Sequence, residues 1–328
     1  MADTDMNGEN ENPANSIFRL KPEGVAPLDK LFKIDIHLKV PMFTVHSAYV
    51  PEVDPDYHFD PNATKSILAA FSHNLRLLIT GRHGTGKSSH IQQVAARLNW
   101  PCIRINLDGH LSRSDFLGRN TIVIENDKQV TRFQEGLLPW AMQNPVALIL
   151  DEYDAGQPDF LFILQQVLEP RGCLTLLETN KIIRPNPYFR LFATANTLGL
   201  GDETGLYHGT QQINQAQLDR WNIFLELNYL NPADELKVLI SKVPLFNNAE
   251  NINIAKRLIA FANMTRSGFA EGDIALAMSL RTVLYWAQNI LYFDDLTDAF
   301  RVTFYNRCEK MDRKIIAEYY QRCFDVEI

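Results

Sequence analysis

The chain has 328 residues, of which 46% are hydrophobic and 22% charged, and its formal net charge is -7 at pH 7. This is the composition of an ordinary globular protein with one large or two modest domains, and no run of about 18 apolar residues is present to cross a membrane. Lysines and arginines nowhere form a block of about five or more, which disfavours a protein that tracks duplex nucleic acid.

The start of the chain and its cysteines bear on the compartment. The first 16 residues are polar and acidic, unlike the basic start and apolar stretch of a signal peptide. Cys102, Cys173, Cys308 and Cys323 lie far apart with no C-x-x-C pair, so neither a zinc knuckle nor a disulfide framework is predicted. We therefore expect a cytoplasmic protein with reduced thiols.

Two segments precede the first strand pattern. Residues 1–27 are rich in Asn, Glu and Pro and lack apolar periodicity, which predicts a disordered N-terminal tail. Residues 28–64 contain a short apolar stretch followed by the proline-rich run VPEVDP at 50–55. Because each proline biases the residue before it toward extended backbone, we expect a strap segment that packs on the next domain.

Residues 65–228 alternate between short apolar runs and helical segments. The first run is followed by a glycine-rich turn and a helix through Arg97. The predicted strands of this region lie at 75–80, 102–107, 146–150, 190–195 and 223–227. Short apolar runs bounded by turn residues, with helices between them, indicate a parallel sheet buried on both faces, and thus a doubly wound α/β domain.

After residue 228 the strand pattern stops. Apolar residues recur at helical spacing in the segments 232–242, 252–264, 281–292 and 312–324. This pattern predicts a small all-helical domain over residues 229–328.

Two β-hairpins are predicted inside the α/β domain. Residues 121–131 form two β-prone arms around the polar turn ENDK, and residues 174–183 form two more, with Thr179 and Asn180 at the turn. The hairpins are either surface decoration or working parts that face a ring pore or a partner.

The segment GRHGTGKS at 81–88 fits the P-loop pattern G-x-x-x-x-G-K-[ST], and it lies between a predicted strand and a predicted helix. Its glycines let the backbone curl so that amide groups and the helix N-terminus face phosphates. Lys87 is expected to pair with the β- and γ-phosphates of ATP, and the Ser88 hydroxyl to hold Mg²⁺. The predicted nucleotide-binding residues of this segment are Gly81, His83, Gly84, Thr85, Gly86, Lys87, Ser88 and Ser89.

Two more predicted strands end in residues suited to phosphoryl transfer. The run VALIL at 146–150 leads into Asp151 and Glu152, and the run LFATA at 191–195 leads into Asn196. Asp151 would organise Mg²⁺ through its waters, and Glu152 would act as general base on the attacking water. The Asn196 amide would hold that water and a γ-phosphate oxygen. Alone, the two acids could equally cap the following helix, and an asparagine at a strand end is usually a turn residue, so it is the P-loop that favours the catalytic interpretation.

Two arginines are candidates for a contact with the γ-phosphate from outside the pocket. Arg220 lies in the sequence QLDRW before the last predicted strand, and Arg281 lies in MSLRT at the start of a predicted helix. Such an arginine neutralises the charge that develops on the γ-phosphate. Taken singly, such arginines are usually surface ion pairs, and it is the family comparison that favours a functional role.

The order of these motifs resembles that of AAA+ ATPases of the MoxR and chelatase type: P-loop, Asp-Glu strand, Asn sensor, L-D-R-[FW] and S-x-R. Over residues 28–326 the chain is more similar still to the CobS family, the ATPase subunits of aerobic cobaltochelatase. The stretches that carry this similarity are YVPEVDP at 49–55, HGTGKS at 83–88, QVAARLNWP at 93–101, DEYDAG at 151–156, GLGD at 199–202 and GLYHGTQQINQ at 205–215.

The resemblance implies an AAA+ fold and a hexameric ring, in which Arg220 reaches the ATP of the neighbouring subunit as an arginine finger. It implies that Arg281, on a helical lid, senses bound nucleotide, although Leu280 stands where related ATPases often have proline. The two hairpins would correspond to the helix-2 and pre-sensor insertions of this clade.

The resemblance also implies an activity with ATP and Mg²⁺ as cofactors. The chain would power insertion of cobalt into the corrin ring of hydrogenobyrinic acid a,c-diamide, on the aerobic route to cobalamin, as part of a ligase that forms metal–nitrogen bonds. The implied partners are a von Willebrand-type, CobT-like subunit and a large catalytic, CobN-like subunit, with no nucleic acid and no membrane.

Other functions remain open on the residues alone. The sequence has no cluster of His, Cys or carboxylate side chains that would hold cobalt, so we expect the metal chemistry on another subunit. One alternative is a MoxR-like chaperone that remodels another metalloenzyme or complex. A nucleic-acid motor is disfavoured because Lys128 and Arg132 on the first hairpin are balanced by Glu125 and Asp127. A nucleotide-gated scaffold with negligible turnover is disfavoured because the predicted base, sensor and finger are all present.

Overall fold

The computed structural model describes residue 17 and residues 20–107, 111–197 and 212–328. Within these ranges the strands are β1 (Gly24–Val25), β2 (Pro41–Met42), β3 (Leu77–Thr80), β4 (Cys102–Asn106), β5 (Gly118–Glu125), β6 (Lys128–Glu135), β7 (Ala147–Asp151), β8 (Leu174–Leu176), β9 (Lys181–Ile183), β10 (Arg190–Ala195) and β11 (Ile223–Glu226). The helices are α1 (Leu28–Phe32), α2 (Pro61–His73), α3 (Lys87–Arg97), α4 (Arg113–Leu117), α5 (Leu137–Gln143), α6 (Pro158–Leu168), α7 (Gln215–Leu218), α8 (Pro232–Lys242), α9 (Ile252–Glu271), α10 (Leu280–Phe293), α11 (Leu296–Thr303) and α12 (Arg313–Phe324). None of these helices is long and apolar enough to span a bilayer.

The central sheet consists of five parallel strands in the order β11-β3-β10-β7-β4. Strands β3, β7 and β10 are buried along their whole length, as expected of apolar runs that are covered on both faces. Strand β10 lies between β3 and β7, with Phe192 paired to Leu77 on one side and to Ile149 on the other. This order brings the carboxyl ends of three strands together, and it confirms the doubly wound α/β prediction.

Alternate residues of the strands face two different apolar clusters. Ile149 and Phe192 pack with α2, α3 and the strap on one face of the sheet. Leu148 and Leu191 pack with α4, α5 and α6 on the other face. Because successive side chains of a strand point to opposite faces, both layers are anchored to the same five strands, and the sheet edge is a rigid support for a site.

The strap, residues 28–64, packs on the α/β core. Its Phe43 is buried and meets Trp100 edge to face, with ring centroids 4.9 Å apart. β1 pairs with β2, and the Ala26 amide donates to the Val40 carbonyl at 2.9 Å, so ordered chain begins inside the segment predicted as a tail. The amino-acid composition of the segment does not predict this strand pairing, because the hydrogen bonds join backbone groups. The rest of the predicted tail, residues 1–16, 18 and 19, lies outside the described residues.

Both predicted hairpins are present. The first pairs β5 with β6 from Gly118 to Glu135 and is longer than the predicted 121–131. Its turn residues Asn126 and Asp127 have φ of 48° and 57°, values that a type I′ turn requires. Most of β6 is exposed and polar, so its sequence carried no hydrophobic signal of its length. The second hairpin pairs β8 with β9.

Helices α8 to α12 form the helical lid, which we define as residues 229–328. Its apolar core is centred on Trp286, Phe300 and Tyr320. Helix α9 continues past its predicted end at 264, and α11 was not predicted, because both stretches are rich in polar residues. Helix α9 contains a glycine, Gly268. A larger residue would clash at this position, because its Cβ would lie 2.5 Å from the Tyr319 hydroxyl. The domain limits themselves stay predictions.

Candidate nucleotide site

The P-loop connects the end of β3 to the start of α3. Gly86 precedes α3 with φ of 88°, and Gly84 has φ of 78°, left-handed values that favour glycine. Gly84 also lies against the lid, since a Cβ there would be 2.4 Å from the Ser279 Cβ. The first turn of α3 presents amide groups without intrahelical partners, which suits phosphate oxygens.

Lys87, the first residue of α3, is nearly buried at the edge of the sheet. Its ammonium group donates to the carbonyls of Gly81 at 2.7 Å and Arg82 at 3.2 Å, and to Oδ1 of Asn196 at 2.8 Å. Burial lowers the pKa of Lys87 to about 8, while the neighbouring carboxylates act in the opposite direction. The predicted P-loop lysine and the predicted sensor are therefore in direct contact, although they follow different strands.

Asp151, the last residue of β7, is the centre of a cluster of polar contacts. Its Oδ1 accepts from the hydroxyls of Ser88 and Thr194, and its Oδ2 accepts from Nε and Nη2 of Arg104. Ser88 and Asp151 are the metal ligands predicted from the sequence, whereas Thr194 and Arg104 belong to no sequence motif. A carboxylate between hydroxyl oxygens is a donor set of the kind that hard cations bind, so these residues fit Mg²⁺.

Within the described part of the chain, no group of three or more His, Cys, Asp or Glu side chains is arranged to hold a metal ion. Mg²⁺ does not need such a group, because it keeps several waters and binds through one or two carboxylates together with substrate phosphates. One carboxylate and one hydroxyl, as in Asp151 and Ser88, are therefore compatible with Mg²⁺.

Glu152 has a left-handed backbone, with φ of 55° and ψ of 46°. Such a conformation costs a residue other than glycine about 1–3 kcal/mol and is typical of functional sites. The chain then forms a 3-10 turn that buries Asp154 completely. Asp154 Oδ2 accepts from the backbone amides of Asn196 at 3.0 Å and Thr197 at 2.8 Å. Asp154, which the sequence analysis did not single out, therefore fixes Asn196 close to Glu152.

A cavity of about 240 Å³ lies beside the P-loop, between the strap and the lid. The strap contributes Tyr57 and His58, the lid contributes Leu280 and Leu284, and Ser89 lies on the α3 side. A mostly apolar cleft with a few polar groups suits a flat heterocycle such as a nucleotide base. The sequence analysis did not predict Tyr57 and His58 because an aromatic pair in a proline-rich segment carries no motif.

An ion pair and a contact between a histidine and a carboxylate join the strap to the lid next to this cavity. Lys242 Nζ lies 2.5 Å from Asp54 Oδ1, and His58 Nε2 lies 3.3 Å from Asp234 Oδ2. The Asp54 carbonyl also accepts from Arg97 of α3 at 2.7 Å. The VPEVDP segment is thus fastened both to the helix that follows the P-loop and to the first lid helix.

Arg281, on the first turn of α10, lines the same cavity. The pKa of His83 is lowered first by burial and then by the charges of Arg281 and Lys87, so the lid arginine lies close to the P-loop. Ser279 caps helix α10, because its hydroxyl accepts a hydrogen bond from the Thr282 amide at 3.3 Å. The helix can therefore begin without a proline at position 280.

Arg220 does not join this group. It is absent from the residues that line the cavity and from the described contacts of Lys87 and Asp151. Its Nε donates to Glu169 Oε1 at 2.8 Å, at the end of α6, and its side chain is about a third exposed. The other predicted residues, by contrast, lie around one P-loop: Gly81, His83, Gly84, Thr85, Gly86, Lys87, Ser88, Ser89, Asp151, Glu152, Asn196 and Arg281.

Residues 76–216 match the AAA domain of the dynein-related subfamily. The whole chain is 52% identical over 307 residues to the aerobic cobaltochelatase subunit CobS of Sinorhizobium sp, covering 94% of this chain and 92% of that protein. It is 22% identical to protein CbbQ of Hydrogenophilus thermoluteolus, over 74% of this chain and 84% of that protein.

Two further similarities are weaker or more local. Midasin of Dictyostelium discoideum is 30% identical over 215 residues, which are 63% of this chain but 3% of midasin. Among solved structures, a mutant of RuvB from Thermotoga maritima has a TM-score of 0.49 at 13% identity, covering 79% of this chain and 74% of that one. With 94% of this chain covered, the similarity to CobS extends over strap, core and lid alike.

Proposed function

This chain belongs to the CobS family of AAA+ ATPases, and on that premise we propose that it is the motor subunit of an aerobic cobaltochelatase. In this role it couples hydrolysis of ATP to insertion of cobalt into the corrin ring of hydrogenobyrinic acid a,c-diamide. The observation that carries the proposal is the meeting of Lys87, Ser88, Asp151 and Asn196 at one sheet edge, in a chain 52% identical to a cobaltochelatase subunit over 94% of its length.

The P-loop residues bind the phosphates of ATP. Lys87 exchanges its carbonyl and amide partners for β- and γ-phosphate oxygens, and its low pKa rises toward the usual value beside those charges. Ser88 and Asp151 would hold Mg²⁺, which would supply positive charge against the phosphates of ATP. The base of the nucleotide occupies the cavity beside Tyr57 and Leu284.

Hydrolysis itself requires a base and an oriented water. Glu152 accepts the proton of the attacking water, and Asn196 holds that water against the γ-phosphate. The two hydrogen bonds from Asn196 and Thr197 to Asp154 support this proposal, because they fix the sensor strand relative to the turn that carries Glu152. A water held at a fixed angle lowers the barrier through orientation alone.

Arg220 acts on the neighbouring subunit of a ring, which we propose to be hexameric. Its partner in this chain is Glu169 rather than any residue that contacts Lys87 or Asp151, and this supports a role in another subunit's site. Arg281, in contrast, acts within its own chain and reports nucleotide to the lid.

The ring works with two other subunits, a von Willebrand-type, CobT-like protein and a large CobN-like protein that holds the corrin and the cobalt. The alternative of a MoxR-like chaperone for another client is less well supported, because the similarity to CobS includes nearly the entire chain. Reconstitution of ATP-dependent cobalt insertion with both partners tests the proposal, and the chain with Lys87→Ala is its matched control.

A further inference from the structure

Arg104 makes a two-nitrogen contact with Asp151 that the roles assigned so far do not explain. It lies on β4, the edge strand next to β7, two residues before Asn106, which pairs with Asp151 across the sheet. Both Nε and Nη2 reach Oδ2 of Asp151. The Arg104 side chain is 46% exposed, whereas that of Asp151 is 5% exposed. A half-exposed arginine side chain therefore covers a buried carboxylate from the edge of the sheet.

The contacts of Asp151 use both of its oxygens. Oδ1 accepts from Ser88 and Thr194, and Oδ2 accepts from Arg104. A buried carboxylate is unfavourable unless it is paired and hydrogen bonded. Among the described residues, Arg104 forms the one ion pair of Asp151. The arginine thus supplies the positive charge that this carboxylate needs whenever Mg²⁺ is not available.

Arg104 and Mg²⁺ compete for the same carboxylate. Arg104 contacts Oδ2, whereas the proposed Mg²⁺ ligand Ser88 contacts Oδ1, so both cations would lie next to one carboxylate. An arginine stays protonated, so it cannot yield by losing its charge and opposes the metal by electrostatic repulsion. The phosphates of a nucleotide add negative charge that offsets this repulsion, and Mg²⁺ alone lacks that help.

We propose that Arg104 is a positioning residue that acts as the built-in counter-ion of Asp151, so that the site takes up Mg²⁺ only together with nucleotide. The inference rests on the proposed Mg-ATP function of the same site. Arg104 does not touch the reacting atoms in this account. It acts by holding Asp151 in place and by opposing entry of the metal on its own.

The test compares Arg104→Gln with Arg113→Gln in the full-length chain. The first variant removes the charge next to Asp151, and the second removes an exposed arginine at the start of α4. Binding of a fluorescent ADP analogue is measured over a series of Mg²⁺ concentrations, from EDTA upward. In Arg104→Gln the Mg²⁺ concentration for half-maximal enhancement of binding should fall about tenfold. In Arg113→Gln it should match the parent.

Thermal unfolding without nucleotide supplies a second readout. The parent should unfold at the same temperature with EDTA and with Mg²⁺, because Arg104 already neutralises Asp151. Arg104→Gln should unfold at a lower temperature in EDTA, and Mg²⁺ should restore part of the loss. A purely structural arginine would lower the unfolding temperature equally in both conditions. Arg104→Lys, which keeps the charge but cannot make the two-nitrogen contact, should shift both readouts in the same direction by less.

An unchanged or raised Mg²⁺ midpoint in both Arg104 variants, with no restoration of stability by Mg²⁺, would overturn the inference. Failure of the parent to bind the ADP analogue would instead contradict the proposed function. In that case the unfolding measurement alone decides the role of Arg104, since it uses no nucleotide.

Discussion

Gly84 of the P-loop and Ser279 of the lid are packed so closely that a Cβ on Gly84 would lie 2.4 Å from the Cβ of Ser279. Ser279 caps α10, the helix that carries Arg281. The start of this lid helix therefore lies directly on the P-loop. We expect movement of the P-loop on binding nucleotide to reach the lid through the contact between Gly84 and the Ser279 side chain.

Substitution Gly84→Ala should push the lid away from the P-loop and weaken nucleotide binding. The added methyl group meets Ser279, and overpacking of this kind costs about 1–3 kcal/mol, which corresponds to about tenfold or more in affinity. Fluorescence titration with an ADP analogue measures the effect. Gly272→Ala is the control, because Gly272 has a similar φ of 83° but a Cβ there would have no neighbour within 4 Å, so this variant carries the backbone strain without the clash. Parent-like affinity in Gly84→Ala would show that binding does not need the lid contact.

Nucleotide affinity should fall as the pH rises above about 8. Burial lowers the pKa of Lys87 to about 8 in the protein alone, and phosphate charges raise it in the complex. Between these two pKa values binding takes up a proton, so affinity decreases with pH there and is constant below. Calorimetric titration in two buffers of different ionisation enthalpy measures the proton uptake. No uptake at pH 9 in the parent would contradict the assigned partner of the phosphates.

Two kinds of substitution at Glu152 should test its catalytic role and its backbone strain separately. Glu152→Gln should bind ATP and hydrolyse it at least about a hundredfold more slowly, because the base is lost. Glu152→Gly should be more stable to urea than Glu152→Ala by about 1 kcal/mol, because glycine relieves the left-handed backbone. Turnover of ATP by Glu152→Gln at the parent rate would disprove the assigned base. Equal stability of the Gly and Ala variants would disprove the strain.

The ion pair between Lys242 and Asp54 should slow release of nucleotide. Both side chains are partly exposed, so the pair contributes at most about 1 kcal/mol, and Lys242→Ala should release ADP about two to five times faster. Stopped-flow displacement measures the rate. Lys237→Ala is the control, since Lys237 pairs with Asp234 on its own helix and not with Asp54. The difference between the two variants should vanish in high salt, where exposed charges are screened.

The sheet and the position of the P-loop could be predicted from the sequence because each depends on a local signal. Buried parallel strands appear as continuous apolar runs, and β10 was predicted with both of its ends at the observed positions. The P-loop needs glycine at fixed spacing, so its pattern is visible in eight residues. The Asp-Glu pair and Asn196 follow strands, and strand order alone brings them together.

The remaining site residues depend on contacts between distant segments. Asp154 supports Asn196 only because a left-handed Glu152 turns the chain back toward β10. Arg104 looks like an ordinary exposed residue of an edge strand until β4 is placed next to β7. Tyr57 belongs to a segment whose only sequence signal is proline. None of these contacts has a spacing rule, and so the structure was needed to find them.

Cobalt insertion in a reconstituted system tests the central claim most directly. The chain is mixed with the CobT-like and CobN-like subunits, the corrin substrate, Co²⁺ and Mg-ATP, and formation of the cobalt corrin is followed by its absorbance. The account predicts insertion with the parent chain and none with Lys87→Ala, which lacks the phosphate contact. No insertion by the parent, with ATP hydrolysis measurable in the same mixture, would contradict the cobaltochelatase function and leave an AAA+ ATPase with a different client.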